Sequence, residues 1–259
     1  MPRFFIFGLG YSALAISAEL RGQGWTVEAT GRAGDLAFSD DRGVTAALAR
    51  ASHVLSSVPP DGGGDPVLAA YGDALAGKWL GYLSSTGVYG DTAGAWVDET
   101  APVGRGRRSA RSEADARWLA LGARVFRLPG IYGPGRSVFE RLADGRAQRI
   151  ALPGQVFSRV HVEDIAAGVL AALEAPPGAY NLADDEPASQ NAVIEEACLM
   201  LGRAPPPLLS LAEAQLSPAA LAFYAENRRV ANGKAARVLG WRPRYPSFRE
   251  GLCAILASR

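Results

Sequence analysis

The sequence predicts an α/β protein: a Rossmann-type doubly wound parallel sheet with a small, partly helical C-terminal lobe. Three observations predict it. Short apolar runs alternate with helix-forming stretches over the first 130 residues, the first run ends in a glycine turn that opens a helix, and the alternation loosens after Gly130. Alternating strands and helices cover both faces of a sheet, which makes its strands parallel and its crossovers right-handed. At 259 residues the chain can bury a substantial core, as one large unit or two small ones.

Arg3–Phe7 is an apolar run stopped by Gly8, the pattern of a strand buried on both faces. Residues 11–20 are rich in helix formers and are closed by Gly22 and Gly24. Residues 25–30 read as a second strand, and residues 53–58 as a third, stopped by Pro59-Pro60 and a glycine loop at 62–64. A helix over 65–76, a strand over 79–84, a helix over 107–121 and a strand at Arg124–Leu128 continue the alternation, which ends at Pro129-Gly130. Beyond lie a helix over 164–174 with Asp164 as its N-cap, a short strand at 179–183 and a helix over 189–201. The prolines at 205–207 form a rigid break, and the remainder reads as mainly helical.

Composition narrows the function. A net charge of +1 offers no broad basic field for nucleic acid or for an acidic membrane surface. No apolar run approaches the ~18 residues of a membrane span, and the apolar start from Met1 to Gly8 is too short for a signal peptide. Cys198 and Cys253 sit in apolar helical contexts without metal-ligand spacing, which predicts buried free thiols in a reducing compartment and no metal site. The expectation is a cytoplasmic protein, monomer or homodimer, whose partner is a small-molecule substrate.

Gly8-Leu9-Gly10-Tyr11-Ser12-Ala13 is a GxGxxA turn between the first strand and the first helix. Gly8 permits the tight turn, Gly10 lets backbone approach a pyrophosphate, and Ala13 lets helix and strand pack closely. The phosphates would sit at the positive end of that helix, beside Leu9, Tyr11 and Ser12. An acidic residue is expected at the end of the second strand, to bind the ribose 2′-hydroxyl. Thr30 stands there instead, followed by Gly31 and Arg32. A guanidinium beside that ribose suits a 2′-phosphate, so NADP is favoured over NAD, unless Arg32 is a solvated loop residue. Glu28 points elsewhere by strand alternation. The expected division is a dinucleotide-binding domain over 1–130, completed by 155–183, and a substrate lobe formed by 131–154 and 184–259.

Five further segments carry a family resemblance. Ser84-Ser85-Thr86-Gly87-Val88-Tyr89-Gly90, the stretch from Arg127 to Arg136, Val160-His161-Val162-Glu163-Asp164-Ile165-Ala166, Tyr180-Asn181-Leu182-Ala183 and Leu239-Gly240-Trp241-Arg242-Pro243 occur in the order found in the NAD-dependent epimerase/dehydratases. The chain resembles that family, the extended short-chain dehydrogenases, along nearly its whole length. The resemblance implies that the cofactor also meets Ser57, Val58, Pro59, Ser84, Leu128, Pro129, Gly130 and Ile131. It implies that Ser85 polarises the substrate oxygen, with Thr86 as the fallback. The alternative for Ser85 is a hydroxyl that satisfies local backbone groups.

The family's Tyr-x-x-x-Lys pair is absent, which makes this an atypical member. Residues 100–121 hold no tyrosine and no lysine, and neither Lys78 nor Lys234 follows a tyrosine by four. Aligned on Glu113, Arg105 falls at the tyrosine position and Ser109 at the lysine position. Arginine stays charged and cannot replace a phenol as proton donor. Arg105, Arg107, Arg108 and Arg111 could bind an anionic substrate, or could be a solvated helical face. Tyr89 and Tyr132 are the substitute phenols, and Arg136 and His161 further substrate candidates, although His161 also reads as a structural strand histidine. Phe157 stands where nucleotide-sugar enzymes of the family carry an arginine for the diphosphate, which argues against such substrates. Two functions stay open: an NADP-dependent oxidoreductase or epimerase/dehydratase-like enzyme acting on a small carbonyl or sugar-like substrate, and a non-catalytic NAD(P)-binding redox sensor or regulator.

Overall fold

The structure is a computed structural model that describes residues 2–104, 106 and 109–259. In chain order its first half holds β1 (Arg3–Phe7), α1 (Tyr11–Gly22), β2 (Thr26–Ala29), α2 (Asp41–Arg50), β3 (His53–Ser56), α3 (Pro66–Tyr71), β4 (Trp79–Ser85), β5 (Trp96–Val97), α4 (Ser109–Ala120) and β6 (Arg124–Leu128). Then follow β7 (Gly130–Tyr132), α5 (Val138–Ala143), β8 (Arg149–Ile150), β9 (Arg159–His161), α6 (Val162–Ala171), β10 (Gly178–Asn181), α7 (Gln190–Met200), β11 (Leu208–Leu209), α8 (Pro218–Tyr224), β12 (Arg229–Val230) and α9 (Phe248–Ala257).

Six strands form one parallel sheet in the order β10-β6-β4-β3-β1-β2. The chain steps outward from β1 to β2, then returns across β1 to lay down β3 on its other side. That reversal is the topological switch point, where α/β sheets bind ligands at the carboxyl ends of their strands. Side chains of β1 alternate between faces, as a strand's period of two requires. Phe4 and Ile6 pack with Ile16 and Leu20 of α1 and Ile165 and Val169 of α6. Phe5 and Phe7 pack with Val44 and Leu48 of α2, Val67 of α3 and Trp118 of α4. Both faces are therefore covered, which explains why the strand reads as a continuous apolar run. Each such large side chain, fully buried, contributes about 1.5–3 kcal/mol.

A third core joins α5, α7 and α9 through Phe139, Ile194, Phe248 and Leu252. A buried carboxylate of α6 holds the segment that leads into α9. Asp164 accepts hydrogen bonds from the backbone N–H of Arg244 at 2.6 Å and of Tyr245 at 3.2 Å, while its carbonyl accepts from Trp241 Nε1 at 3.1 Å.

Four expectations need correction. Asp164 is not an N-cap: α6 begins at Val162, and the His161 ring accepts from the Glu163 N–H instead. Cys253 is exposed, although Cys198 is buried. A helix over residues 41–50 escaped the reading, because only Val44, Ala47 and Leu48 make its buried stripe and a side-chain cap at Asp40 is its main signal. The C-terminal region is less helical than expected, since β11 and β12 pair with β8 and β5.

Candidate functional site

The glycine turn is laced to two neighbouring strands. Gly8 has φ +82°, and a Cβ there would lie 3.0 Å from both Ser57 Oγ and Val58 Cγ2, so only glycine fits. Its N–H donates to Thr30 Oγ1 at 3.1 Å, the Leu9 N–H donates to the Thr30 carbonyl at 2.7 Å, and the Ser57 hydroxyl donates to the Gly8 carbonyl. Gly31 closes the back of the turn, where a Cβ would press on the Leu9 nitrogen.

Gly10 differs. Its φ is −93°, and a Cβ would meet nothing within 4 Å. Nothing in the fold demands glycine there, and the space kept clear belongs to the cleft. Gly10 also caps α1 without a side-chain acceptor, which leaves the first N–H groups of that helix unsatisfied by any cap.

Those groups open on a cleft of about 480 Å³ across the carboxyl ends of β1, β3, β4 and β6. Gly10, Tyr11 and Ser12 border it from the glycine turn, and Ser57, Ser84, Ser85 and Thr86 from the next two strand ends. Leu128, Pro129, Gly130, Ile131 and Arg136 complete the predicted part of the wall. Gly8, Leu9, Thr30, Gly31 and Val58 lie behind the turn and shape it rather than border the cavity, and Pro59 is exposed outside it. Arg32 is exposed beside the end of β2, with no hydrogen-bond or ion-pair partner among the described residues. Glu28 does point away, paired with Arg50 at 2.9 Å.

Ser85 caps a 3₁₀ turn over Thr86–Tyr89 by accepting from the Gly87 N–H at 3.1 Å. As acceptor in that bond it keeps its own proton to donate into the cleft. Arg111 of α4 reaches the same wall, where Nη1 donates to Tyr82 Oη at 2.7 Å and to the Leu83 carbonyl at 3.3 Å. Arg105, Arg107 and Arg108 lie outside the described residues. The far wall holds Phe157, Phe223 and Arg228. The last two had no local signal in the sequence, because long-range contacts set them there: Phe223 of α8 stacks on Phe157, and Arg228 bridges to Phe157 just before β12.

Neither substitute phenol faces this cleft. Tyr89 is 2% exposed, donates to Asn181 Oδ1 at 2.7 Å and accepts from Arg127 Nη1 at 3.1 Å. Arg127 in turn forks onto Asp115 at 2.7 and 3.1 Å, and Asp115 accepts from Ser84 Oγ at 2.6 Å. Burial pushes the Tyr89 hydroxyl above its ordinary pKa. It is a strut between strands, which corrects its assignment to catalysis and substrate contact. Tyr132 is turned toward α9, 3.4 Å from the Ser247 carbonyl, and borders a second cavity rather than the cleft. His161 is 1% exposed and packs 4.2 Å from the Tyr245 ring, with burial lowering its pKa. It caps α6 and lines neither cavity, which fits a structural histidine and corrects its place among the substrate candidates. The phenol that does border the cleft is Tyr11, which donates to the Pro134 carbonyl at 3.0 Å and lies under the Arg136 guanidinium. Among the described residues no cluster of three or more His, Cys, Asp or Glu could hold a metal ion.

No family model matches the chain. Over 147 residues it is 32% identical to a 3-diazoavenalumate denitrifying reductase from Streptomyces sp, a stretch covering 51% of this chain and 46% of that protein. The chain thus spans about half the length of the curated relatives it matches. Among solved structures, human epimerase family protein SDR39U1 (isoform2) with NADPH superposes with a TM-score of 0.79 at 18% identity, over 99% of this chain and 100% of the other. The fold is that of the NAD-dependent epimerase/dehydratases, on the evidence of that superposition and of the sheet order. Within it, the chain belongs to the same family as a functionally unknown conserved protein from Silicibacter pomeroyi DSS. The two are 42% identical, over 100% of this chain and 99% of the other, with a TM-score of 0.89.

Proposed function

We propose that the protein is an NADP-dependent oxidoreductase that reduces or oxidises a small substrate held over the sheet's carboxyl edge. Gly10 carries this reading: its missing side chain keeps open the space where a pyrophosphate would approach the start of α1. The residues present fit a dinucleotide. First-turn N–H groups of α1 would hold the pyrophosphate, Arg32 the adenosine 2′-phosphate, and Leu128 to Ile131 the far half. No acidic side chain at Thr30 repels that phosphate, since the Thr30 hydroxyl is engaged with Gly8.

When bound, such a cofactor supplies or accepts a hydride. Ser85, on the cleft wall, would donate a hydrogen bond to the reacting oxygen, and the Arg111 guanidinium on the same wall would favour the negative charge that develops there. With no phenol–ammonium pair, the proton would come from water, directly or relayed through the Ser85 hydroxyl, which takes one from water as it gives its own. The absence of that pair and the burial of Tyr89 also favour a second reading, a dinucleotide-binding regulator without turnover.

Thermal shift with NADP(H) and NAD(H) tests binding. NADP(H) is expected to stabilise the chain more than NAD(H), and Arg32→Ala to erase the difference. A preference for NAD(H) would overturn the role of Arg32. Oxidation of NADPH with a panel of carbonyl substrates, lost in Ser85→Ala, separates the enzyme from the regulator; no turnover with any substrate favours the latter.

A further inference from the structure

A second cavity of about 360 Å³ opens off the cleft, and the two share Gly130, Ile131, Arg136, Phe157 and Phe223. A ligand seated over the strand ends therefore has room to extend into it. One wall is apolar, built by Val138 of α5, Val193 of α7, and Phe248 and Leu252 of α9. The junction is aromatic: the Phe157 and Phe223 rings stack 4.6 Å apart at 11°, and Phe223 remains 45% exposed. Arg136, Arg141, Arg146 and Arg159 also line the chamber.

Most of this charge is already answered. Arg146 pairs with Asp144, buried Arg159 donates to the Phe157 and Ala188 carbonyls at 2.8 and 2.9 Å, and Arg136 lies over the Tyr11 ring. The chamber's own acid, Glu140, is held by Ser137 and Arg259. Arg141 is half-buried and has no hydrogen-bond or ion-pair partner among the described residues. A guanidinium that lines an open chamber and has no protein partner is free to meet a ligand's anion.

We infer that this chamber takes the body of the substrate, and that the substrate is a flat aromatic carboxylate. Its ring would lie against Phe157, Phe223 and the apolar wall, with its carboxylate at Arg141 and its reacting end toward Ser85. This rests on the cleft being the nicotinamide site and names the substrate class for it. The flat face of the stacked Phe157 and Phe223 rings favours an aromatic body over a sugar diphosphate.

Calorimetry on the full chain, with and without NADP, tests the inference using 2-naphthoate, its neutral analogue 2-naphthamide, and UDP. Naphthoate should bind without the cofactor, roughly tenfold or more tighter than naphthamide. Arg141→Met should remove that preference while leaving the response to NADP intact, which shows that the variant is folded. Phe157→Ala should weaken both aromatic probes. Equal binding of acid and amide, tighter binding of UDP than of naphthoate, or a preference that survives Arg141→Met would each overturn the inference. Naphthoate binding with no response to NADP would uphold the chamber and sink the dinucleotide reading, so the two fail separately.

Discussion

Gly8 and Gly10 stand two residues apart and need glycine for different physical reasons. At Gly8 both the positive φ and the contacts at 3.0 Å exclude a side chain. Gly8→Ala is expected to cost more than about 1 kcal/mol of stability, since an L-residue cannot relax into that conformation without moving β3. Gly10→Ala strains nothing in the backbone and should melt close to the parent. What it should lose is the NADP(H)-induced shift in Tm, because the new methyl stands where the pyrophosphate would pass. Melting curves of both variants, with and without cofactor, check the pair. A Gly10→Ala variant that binds NADP(H) normally would remove the main support for the proposed function. Tyr89 allows a comparable separation. Tyr89→Phe gives up two buried hydrogen bonds and should lose about 1–2 kcal/mol of stability, yet retain turnover, because the phenol does not touch the cleft.

Between elements, the Ser84–Asp115–Arg127 chain ties β4, α4 and β6 together behind the cleft wall. Arg127 and Asp115 are 3% and 0% exposed, so removing one partner leaves a buried charge uncompensated. Asp115→Asn is expected to destabilise the fold by about 3–5 kcal/mol, measured by denaturant unfolding. A second element-level test concerns pH. Asp184 follows β10, is 2% exposed, and its carboxylate oxygens lack hydrogen-bond donors. Burial pushes its pKa up to about 8, against the pull of Arg159. The folded chain then holds a proton that the unfolded chain releases near the ordinary 3.8. Its contribution to stability is complete below that value and is lost as the pH rises through about 8. Asp184→Asn, neutral throughout, should flatten the fall in Tm over this window, and parallel profiles for the two proteins would refute the assignment. The sheet strands, the glycine turn and the helix of residues 11–20 were legible because apolar runs and glycine punctuation are local signals. The networks were not: Tyr89 and His161 sit inside motifs, and only long-range partners such as Asn181, Arg127 and Tyr245 decide that they face inward.

At the scale of the molecule, the cleft has two sources. Its floor comes from strand ends before residue 130, whereas Phe157, Phe223 and Arg228 come from the second half of the chain. A ligand gripping both sources stabilises the folded chain in any case, and protects the two halves equally only if they unfold together. The Asp164 clamp argues that they do, because a single buried carboxylate holds the segment preceding α9 against α6, and Trp241 joins the core on the α1 and α6 face of the sheet. Denaturant unfolding followed by tryptophan fluorescence and by circular dichroism should give coincident transitions for the parent. At a hundred times its Kd, NADP(H) should add about 2.7 kcal/mol to both probes equally. Asp164→Ala should pull the two curves apart, because the Arg244 and Tyr245 N–H groups lose the acceptor that holds the segment before α9, and the cofactor should then protect the second transition more than the first. Coincident curves in that variant would mean that the apolar contacts of Trp241, Phe248 and Leu252 couple the halves without the carboxylate.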